Sequence, residues 1–115
     1  MTSTPALHSA NEAEIGEHTA KATALTEGLT EASRTIWTGG KIDTGIWECS
    51  PGAFAAERNG YDEVCTILSG RVTLQVEGEP DVSFGPGDIF VTPSGWKGTW
   101  VVHEQLRKHY TIISE

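Results

Sequence analysis

The sequence predicts an all-β protein folded as a jelly-roll barrel. Thirteen of the 115 residues are glycine, and the apolar residues fall in short runs separated by turn-forming residues. Many turns between short apolar runs are typical of all-β domains. No helical pattern lies between these runs, which favours a jelly roll over a fold in which strands and helices alternate.

Short β-prone runs begin near residue 34 and continue almost to the end of the chain. We predict nine strands from these runs. In chain order they are Arg34–Thr38, Gly45–Cys49, Phe54–Glu57, Glu63–Leu68, Arg71–Glu77, Val82–Phe84, Ile89–Thr92, Thr99–Val102 and Arg107–Ile113. Strands this short and this closely spaced suit a small barrel.

Four segments rich in Gly and Pro predict the turns between these strands. Thr38–Lys41 and Ser69–Arg71 contain glycines suited to tight turns. Glu77–Pro80 places its proline where no ladder N–H is needed. Gly85–Asp88 predicts a sharp corner, because its glycines can adopt positive φ.

The first thirty residues differ in composition from the rest of the chain. They are rich in Ala, Thr and Glu and contain no aromatic residue. We therefore divide the chain into an arm, residues 1–30, and a barrel domain, residues 31–115. The arm is expected to be flexible or to pack across a partner subunit. A short helix over Ala20–Leu29 is a further possibility, weakened by Gly28 and the threonines.

Size and charge narrow the classes of function. A chain of 115 residues suits one domain, and a net charge of −8 argues against binding nucleic acid. No apolar run approaches the roughly 20 residues that a membrane-spanning helix needs. Without an export signal at the N-terminus, we expect a cytoplasmic protein whose Cys49 and Cys65 are reduced thiols.

Two motifs stand in the middle of the chain. Glu63 is followed after six residues by Gly70, and Gly87 is followed after five residues by Pro93-Ser-Gly95. Together with Trp47–Gly52, Phe84–Asp88 and Arg107–Tyr110, they resemble the motifs of small single-domain cupins, the RmlC-like jelly rolls. The likeness is greatest to the group that includes (S)-ureidoglycine aminohydrolase and many members of unknown function. The resemblance implies a cupin-type double-stranded β-helix.

The histidines that hold a metal in most cupins are missing from both motifs. The His-x-His positions of the first motif are occupied by Glu57 and Asn59, or by Ala56 and Arg58, and the histidine position of the second is Gly98. Only Glu63 remains of the usual ligands. One carboxylate does not hold a transition metal, so we expect neither a metal nor another cofactor. A rebuilt zinc site from Glu63, Cys65 and a histidine of the last strand stays open, although a buried free thiol is the more common fate of such a cysteine.

Strand alternation and the resemblance together select the candidate site residues. If Glu63 faces the barrel interior, Tyr61 and Cys65 share its face, as Trp96 and Trp100 share the face of Gly98. We expect Trp47 to belong to the core and Trp96 to line the pocket, with Trp100 undecided. The resemblance implies that Lys108 and Tyr110 on the last strand line the pocket too. The candidate catalytic residues are Glu63, Lys108 and Tyr110, and the candidate pocket residues are Glu57, Tyr61, Cys65, Trp96 and Trp100.

These residues predict a pocket without metal that binds a small, polar, nitrogen-containing metabolite. Any chemistry would be acid–base catalysis by Glu63 with Lys108 and Tyr110. Two alternatives remain: a metal-dependent enzyme similar to ureidoglycine aminohydrolase, and a non-catalytic binding module. The expected partners are a small molecule and a second copy of the chain, because small cupins pair through a sheet edge or a swapped strand.

Overall fold

The structure is a computed structural model that describes residues 3–115. It contains eight β-strands, and the described residues form no helix, so none is present that could cross a membrane. The strands are β1 (Thr19–Ala20), β2 (Thr30–Gly39), β3 (Ile42–Cys49), β4 (Gly52–Glu57), β5 (Tyr61–Gln75), β6 (Val82–Phe84), β7 (Ile89–Thr92) and β8 (Lys97–Ser114). The prediction of an all-β jelly roll is confirmed.

The two long strands β5 and β8 hold the sheet together. They pair antiparallel with each other along most of their length, from Tyr61↔Ser114 to Gln75↔Thr99. The second half of β8 also pairs with β3, and its first half pairs with β4. In the same way β5 pairs with β7 in its first half and with β6 in its second. Each long strand therefore changes neighbours midway, which curves the sheet around an interior.

The predicted tight turn at Ser69–Arg71 is wrong, because β5 passes through it unbroken. The strand bulges there instead, with register shifts on both sides of Ser69. Gly70 has a φ of 89°, and a Cβ at this position would collide with the backbone oxygen of Gln105 on β8. Such bulges bend a strand without ending it. The two strands predicted over residues 63–77 are therefore the single strand β5, which ends at Gln75, and the two predicted over residues 99–113 are likewise the single strand β8.

The other predicted turns are present. Gly40, with a φ of 57°, and Lys41 join β2 to β3 as a two-residue hairpin. In the corner at Gly85–Asp88, the backbone N–H of Gly85 donates to Oδ2 of Asp88 at 2.8 Å. The helix considered for Ala20–Leu29 does not form. That segment runs instead beside β4, where Ala24 makes an isolated bridge to Phe54.

The segment before β2 packs on the barrel at several points. On the outer face of β8, Nη1 of Arg107 donates to the carbonyl oxygens of Ala10 at 2.9 Å and Ala13 at 2.6 Å. Nε2 of His18 lies 2.7 Å from Oε2 of Glu48 on β3. Leu29 is buried in the core. Residues on both sides of the predicted boundary at residue 30 therefore contribute to one packed body, although the division itself stays a prediction.

An aromatic cluster fills the centre of the barrel. Trp100 of β8 is fully buried, and its ring centroid lies 5.5 Å from that of Phe54, 5.6 Å from that of Phe90 and 6.0 Å from that of Trp47. Aromatic rings at these separations pack favourably edge to face or offset. This cluster forms the base on which the candidate site rests.

Candidate functional site

Strand register brings three rows of inward side chains together. Across β3, β8, β5 and β7 the first row is Asp43, Ile112, Glu63 and Thr92. The second row is Gly45, Tyr110, Cys65 and Phe90, and the third is Trp47, Lys108 and Ile67. Because side chains alternate along each strand, all of these residues point to the same face of the sheet. Glu63, Lys108 and Tyr110 are thus neighbours.

A pocket of about 350 Å³ opens on this face. Its charged lining residues are Lys21, Asp43, Glu57, Arg58, Glu63 and Lys108. Its aromatic lining residues are Trp47, Phe54, Tyr61 and Tyr110. A concave site with apolar walls and a few convergent polar groups is typical of small-molecule pockets.

One carboxylate oxygen organises the base of the pocket. Oε1 of Glu63 accepts hydrogen bonds from Nη2 of Arg58 at 2.8 Å, Nζ of Lys108 at 3.1 Å and the thiol of Cys65 at 3.3 Å. Arg58, Glu63 and Lys108 are each less than 10% exposed. Two cations therefore share one buried carboxylate, and the three groups together carry one net positive charge.

Neighbouring side chains fix both cations. Nε of Arg58 donates to Oγ1 of Thr92 at 3.0 Å, on the strand next to Glu63. Nζ of Lys108 lies 4.5 Å from the centroid of Trp47 and 4.4 Å from that of Trp100. Aromatic faces attract cations electrostatically, more strongly where water is excluded. The two rings thus help to hold the ammonium of Lys108 in place.

Glu63 remains ionised in this environment. Burial alone would raise the pKa of its carboxyl, but the charges of Lys108 and Arg58 and the hydrogen bonds from Lys108 and Cys65 outweigh burial and lower that pKa below 4.5. A carboxylate with a lowered pKa is a weak base. The arrangement therefore suits Glu63 to position the two cations rather than to accept a proton.

Cys65 lies beneath the pocket instead of lining it. Its side chain is fully buried, and burial raises the pKa of the thiol to about 12. The group therefore stays protonated and donates to Glu63. A neutral buried thiol is neither a nucleophile nor a good metal ligand.

The side chains around Glu63 do not fit the metal that most cupins bind. Within residues 3–115 no group of three or more His, Cys, Asp or Glu side chains is placed to hold a metal ion. His109, considered for a rebuilt zinc site, lies on the outer face of β8, with Nε2 2.9 Å from Oγ1 of Thr44. The charges of Arg58 and Lys108 would also repel a cation at Glu63. The rebuilt zinc site is therefore wrong.

Tyr110 reaches across β3 because Gly45 faces it. A Cβ at position 45 would lie 2.7 Å from the phenol oxygen of Tyr110. Burial raises the pKa of the Tyr110 phenol, as do the charges of Asp43 and Glu63, while Thr35 lowers it. The phenol therefore stays protonated and can donate a hydrogen bond into the pocket.

Tyr61 and Glu57 lie at the rim of the pocket. The hydroxyl of Tyr61 donates to the backbone oxygen of Glu57 at 3.2 Å. The Glu57 carboxylate is half exposed and lies 3.5 Å from the ammonium of Lys97. Glu57 is thus the most open of the predicted pocket residues.

Trp96 and Trp100 lie in places different from those predicted. Trp96 does not line this pocket: its ring lies over Gly98, 2.7 Å from where a Cβ would be, and fills the space left by the missing side chain. Trp100, predicted as a pocket residue, is fully buried below the pocket. Trp47 is buried in the core as predicted, and it also lines the pocket because it lies beside Lys108 in the register of β3 and β8.

Three residues of the site were missed by the sequence prediction. Arg58 is not among the predicted site residues, although its alternation with buried Ala56 indicates an inward side chain. Asp43 carries no motif and is placed only by the pairing of β3 with β8. Lys21 comes from the segment before β2, where its ammonium lies 2.8 Å from Glu31 and 4.5 Å from the ring centroid of Phe54. The position of Lys21 at the pocket depends on the path of that segment past the barrel.

Comparisons with known proteins agree with this architecture. The family model described as the EutQ-like cupin domain matches residues 38–110. The EutQ protein of Clostridium difficile is similar in structure, with a TM-score of 0.71 at 18% identity over 89% of this chain and 81% of that one. A DUF861 family protein from Thermotoga maritima is 34% identical over 56% of this chain and 73% of that one, with a TM-score of 0.53.

A protein of unknown function from Rhizobium leguminosarum is 28% identical over 74% of this chain and 82% of that one, with a TM-score of 0.65. No curated protein matches the chain. The finer resemblance to ureidoglycine aminohydrolase stays a prediction.

Proposed function

Because the chain belongs to the family of EutQ-like cupin domains, and because this fold serves many unrelated activities, we propose a function from its pocket alone. The protein binds a small, polar, nitrogen-containing metabolite in the barrel, without a metal ion. The observation that supports this proposal is the buried cluster of Arg58, Glu63 and Lys108 at the base of an aromatic-walled cavity. Fixed polar groups of this kind orient a ligand, while the aromatic walls supply contact area.

The geometry favours binding over acid–base catalysis. All the hydrogen bonds that Glu63 accepts from the described residues converge on Oε1, and its lowered pKa makes it a poor proton acceptor. A binding protein with this pocket shows saturable binding of its ligand without product. Turnover in which Glu63 exchanges a proton with the bound compound would contradict that role.

The ligand is expected to contact Lys108, so Lys108→Met should weaken binding at least about tenfold, the typical effect of losing one charge-assisted hydrogen bond. Arg58 still neutralises Glu63 in this variant, so the barrel should remain folded. Saturation-transfer NMR with amino acids, amides and ureido compounds identifies ligands of the unmodified protein, and calorimetry measures their affinities in the variant.

Lys97→Met is the matched control, because Lys97 is exposed and lies outside the pocket. It should leave the affinity unchanged. The proposal fails if the unmodified protein binds none of these compounds, or if Lys108→Met binds them as tightly as the control does.

We also propose that two copies of the chain associate through the outer face of β7. Ile89 and Val91 are more than half exposed on this face, and exposed apolar patches mark contact surfaces. Light scattering should give the mass of a dimer, and Val91→Glu should shift it to that of a monomer. Leu25→Glu, at an exposed leucine in the segment before β2, is the control that should stay dimeric. A monomeric unmodified protein at high concentration would contradict the proposal.

A further inference from the structure

The charges of the pocket are unevenly distributed. At its base Arg58 and Lys108 share the single carboxylate of Glu63. The third cation, Lys21, already has the carboxylate of Glu31 as its partner at 2.8 Å. A buried charge without a counter-charge is costly. The base of the pocket therefore has one positive charge in excess, which a ligand anion would neutralise.

The wall formed by β3 carries the opposite feature, a carboxylate that lacks a partner. No described residue donates a hydrogen bond to the carboxylate of Asp43, and its Oδ1 is sealed from solvent. Asp43 nevertheless belongs to the lining of the pocket. A carboxylate that is partly desolvated and has no donor is destabilised. A ligand N–H group on this wall would supply the missing donor to the remaining oxygen, Oδ2.

The strand register sets the distance between the excess positive charge around Glu63 and the unpartnered carboxylate of Asp43. Asp43 and Glu63 both pair with Ile112, so β8 lies between them. Neighbouring strands are about 4.8 Å apart, which puts the backbones of Asp43 and Glu63 roughly 10 Å apart, with both side chains on the inner face. One small molecule can therefore reach both ends.

We infer that the ligand is a small amino acid, with its carboxylate against Arg58 and Lys108 and its amino group against Asp43. This inference rests on the proposed metabolite-binding function and names the chemical class of the ligand. The amino group is placed against Asp43 and not against Glu63, because Glu63 is already paired with two cations. Ile112 lies between Asp43 and Glu63 in the register and lines the pocket together with Trp47 and Tyr61, so the site offers apolar contact for the aliphatic part of such a ligand.

A set of matched probes tests the inference by calorimetry on the full chain. The probes are glycine, β-alanine and 4-aminobutyrate, which carry both charges at increasing separation, with acetate, glycinamide and methylamine, which each lack the carboxylate or the amino group. At least one amino acid should bind about tenfold more tightly than acetate and the cationic probes, as expected for one additional charge-assisted hydrogen bond. The affinity should pass through an optimum with chain length, because the two charged ends of the site are fixed.

Two substitutions test which group of the protein contacts each end of the ligand. Asp43→Asn should reduce the affinity of the best amino acid about tenfold and leave that of acetate unchanged. Asp81→Asn, an exposed residue outside the pocket, should change neither. Lys108→Met should lower the affinity for both the amino acid and acetate.

The inference is overturned if methylamine or glycinamide binds as tightly as the best amino acid, or if Asp43→Asn has no effect on it. It is also overturned if no probe binds while the NMR screen finds a ligand of another class, and in that case the proposed metabolite-binding function survives. If neither the probes nor the screen yields a ligand, both fail.

Discussion

We expect Glu63→Gln to lower the free energy of unfolding by about 3–5 kcal/mol, the usual result of removing one partner from a buried ion pair. Arg58 and Lys108 would then be left with no carboxylate between them, both of them buried. The amide that replaces the carboxylate could still accept a hydrogen bond, but it would not offset their charges. Urea unfolding at neutral pH measures the change.

The pH dependence of this difference follows from the pKa of Glu63. Its pKa in the folded protein is lowered from the ordinary value of 4.5. A lowered folded pKa contributes stability that is fully present above the unfolded pKa and is lost as the pH falls through the folded pKa. The unmodified protein should therefore lose this contribution in acid, and the stability difference from Glu63→Gln should shrink there.

Glu57→Gln is the matched control for the loss of a glutamate charge. Glu57 and its partner Lys97 are exposed, and exposed pairs contribute at most about 1 kcal/mol. A change below about 1 kcal/mol in Glu63→Gln as well would mean that the cluster is not an interdependent buried set of charges.

Trp100→Ala should lower the free energy of unfolding by about 3–5 kcal/mol, as expected for an aromatic residue deleted from a core. Trp100 is fully buried and contacts the rings of Trp47, Phe54 and Phe90. Its removal would leave a cavity and also take away one of the two aromatic faces next to Lys108. Denaturant unfolding measures the loss of stability.

Two further substitutions separate the causes of this effect. Trp100→Phe should cost less than alanine, because a ring is retained and the indole N–H, which no described residue accepts, is removed. Trp37→Ala, at a tryptophan 42% exposed on β2, should cost much less than Trp100→Ala. Equal losses in Trp37→Ala and Trp100→Ala would contradict the central position of Trp100.

Much of the fold could be predicted from local patterns. Short β-prone runs and Gly-containing turns identify the strands, because alternation and backbone geometry act over a few residues. The prediction of a turn at Ser69–Arg71 was wrong because it used only such local patterns. Gly70 has the positive φ of a turn, yet the pairing of β5 with β8 continues past it. Whether a glycine ends a strand or bends it depends on the partner strand.

The candidate site was predicted in part. Alternation put Lys108 and Tyr110 on one face of the last strand, the family resemblance implied that this face lines the pocket with Glu63, and the structure brings these three residues together. The roles of the tryptophans could not be predicted in the same way. Trp96 fills the space over Gly98, whereas Trp47 takes a place beside Lys108 in the pairing of β3 with β8. Both positions depend on neighbours distant in sequence.

The sequence by itself determined a β-barrel that lacks the usual metal-binding histidines, and it marked Glu63 as the candidate inward carboxylate. The tertiary structure decided what stands around Glu63 instead. It brings Arg58 and Lys108, which are 50 residues apart in the chain, to the same carboxylate oxygen, and it leaves Asp43 on the facing wall without a donor among the described residues. The physical reason is that charge balance in a buried site depends on distances of a few ångströms between strands, which only their register sets.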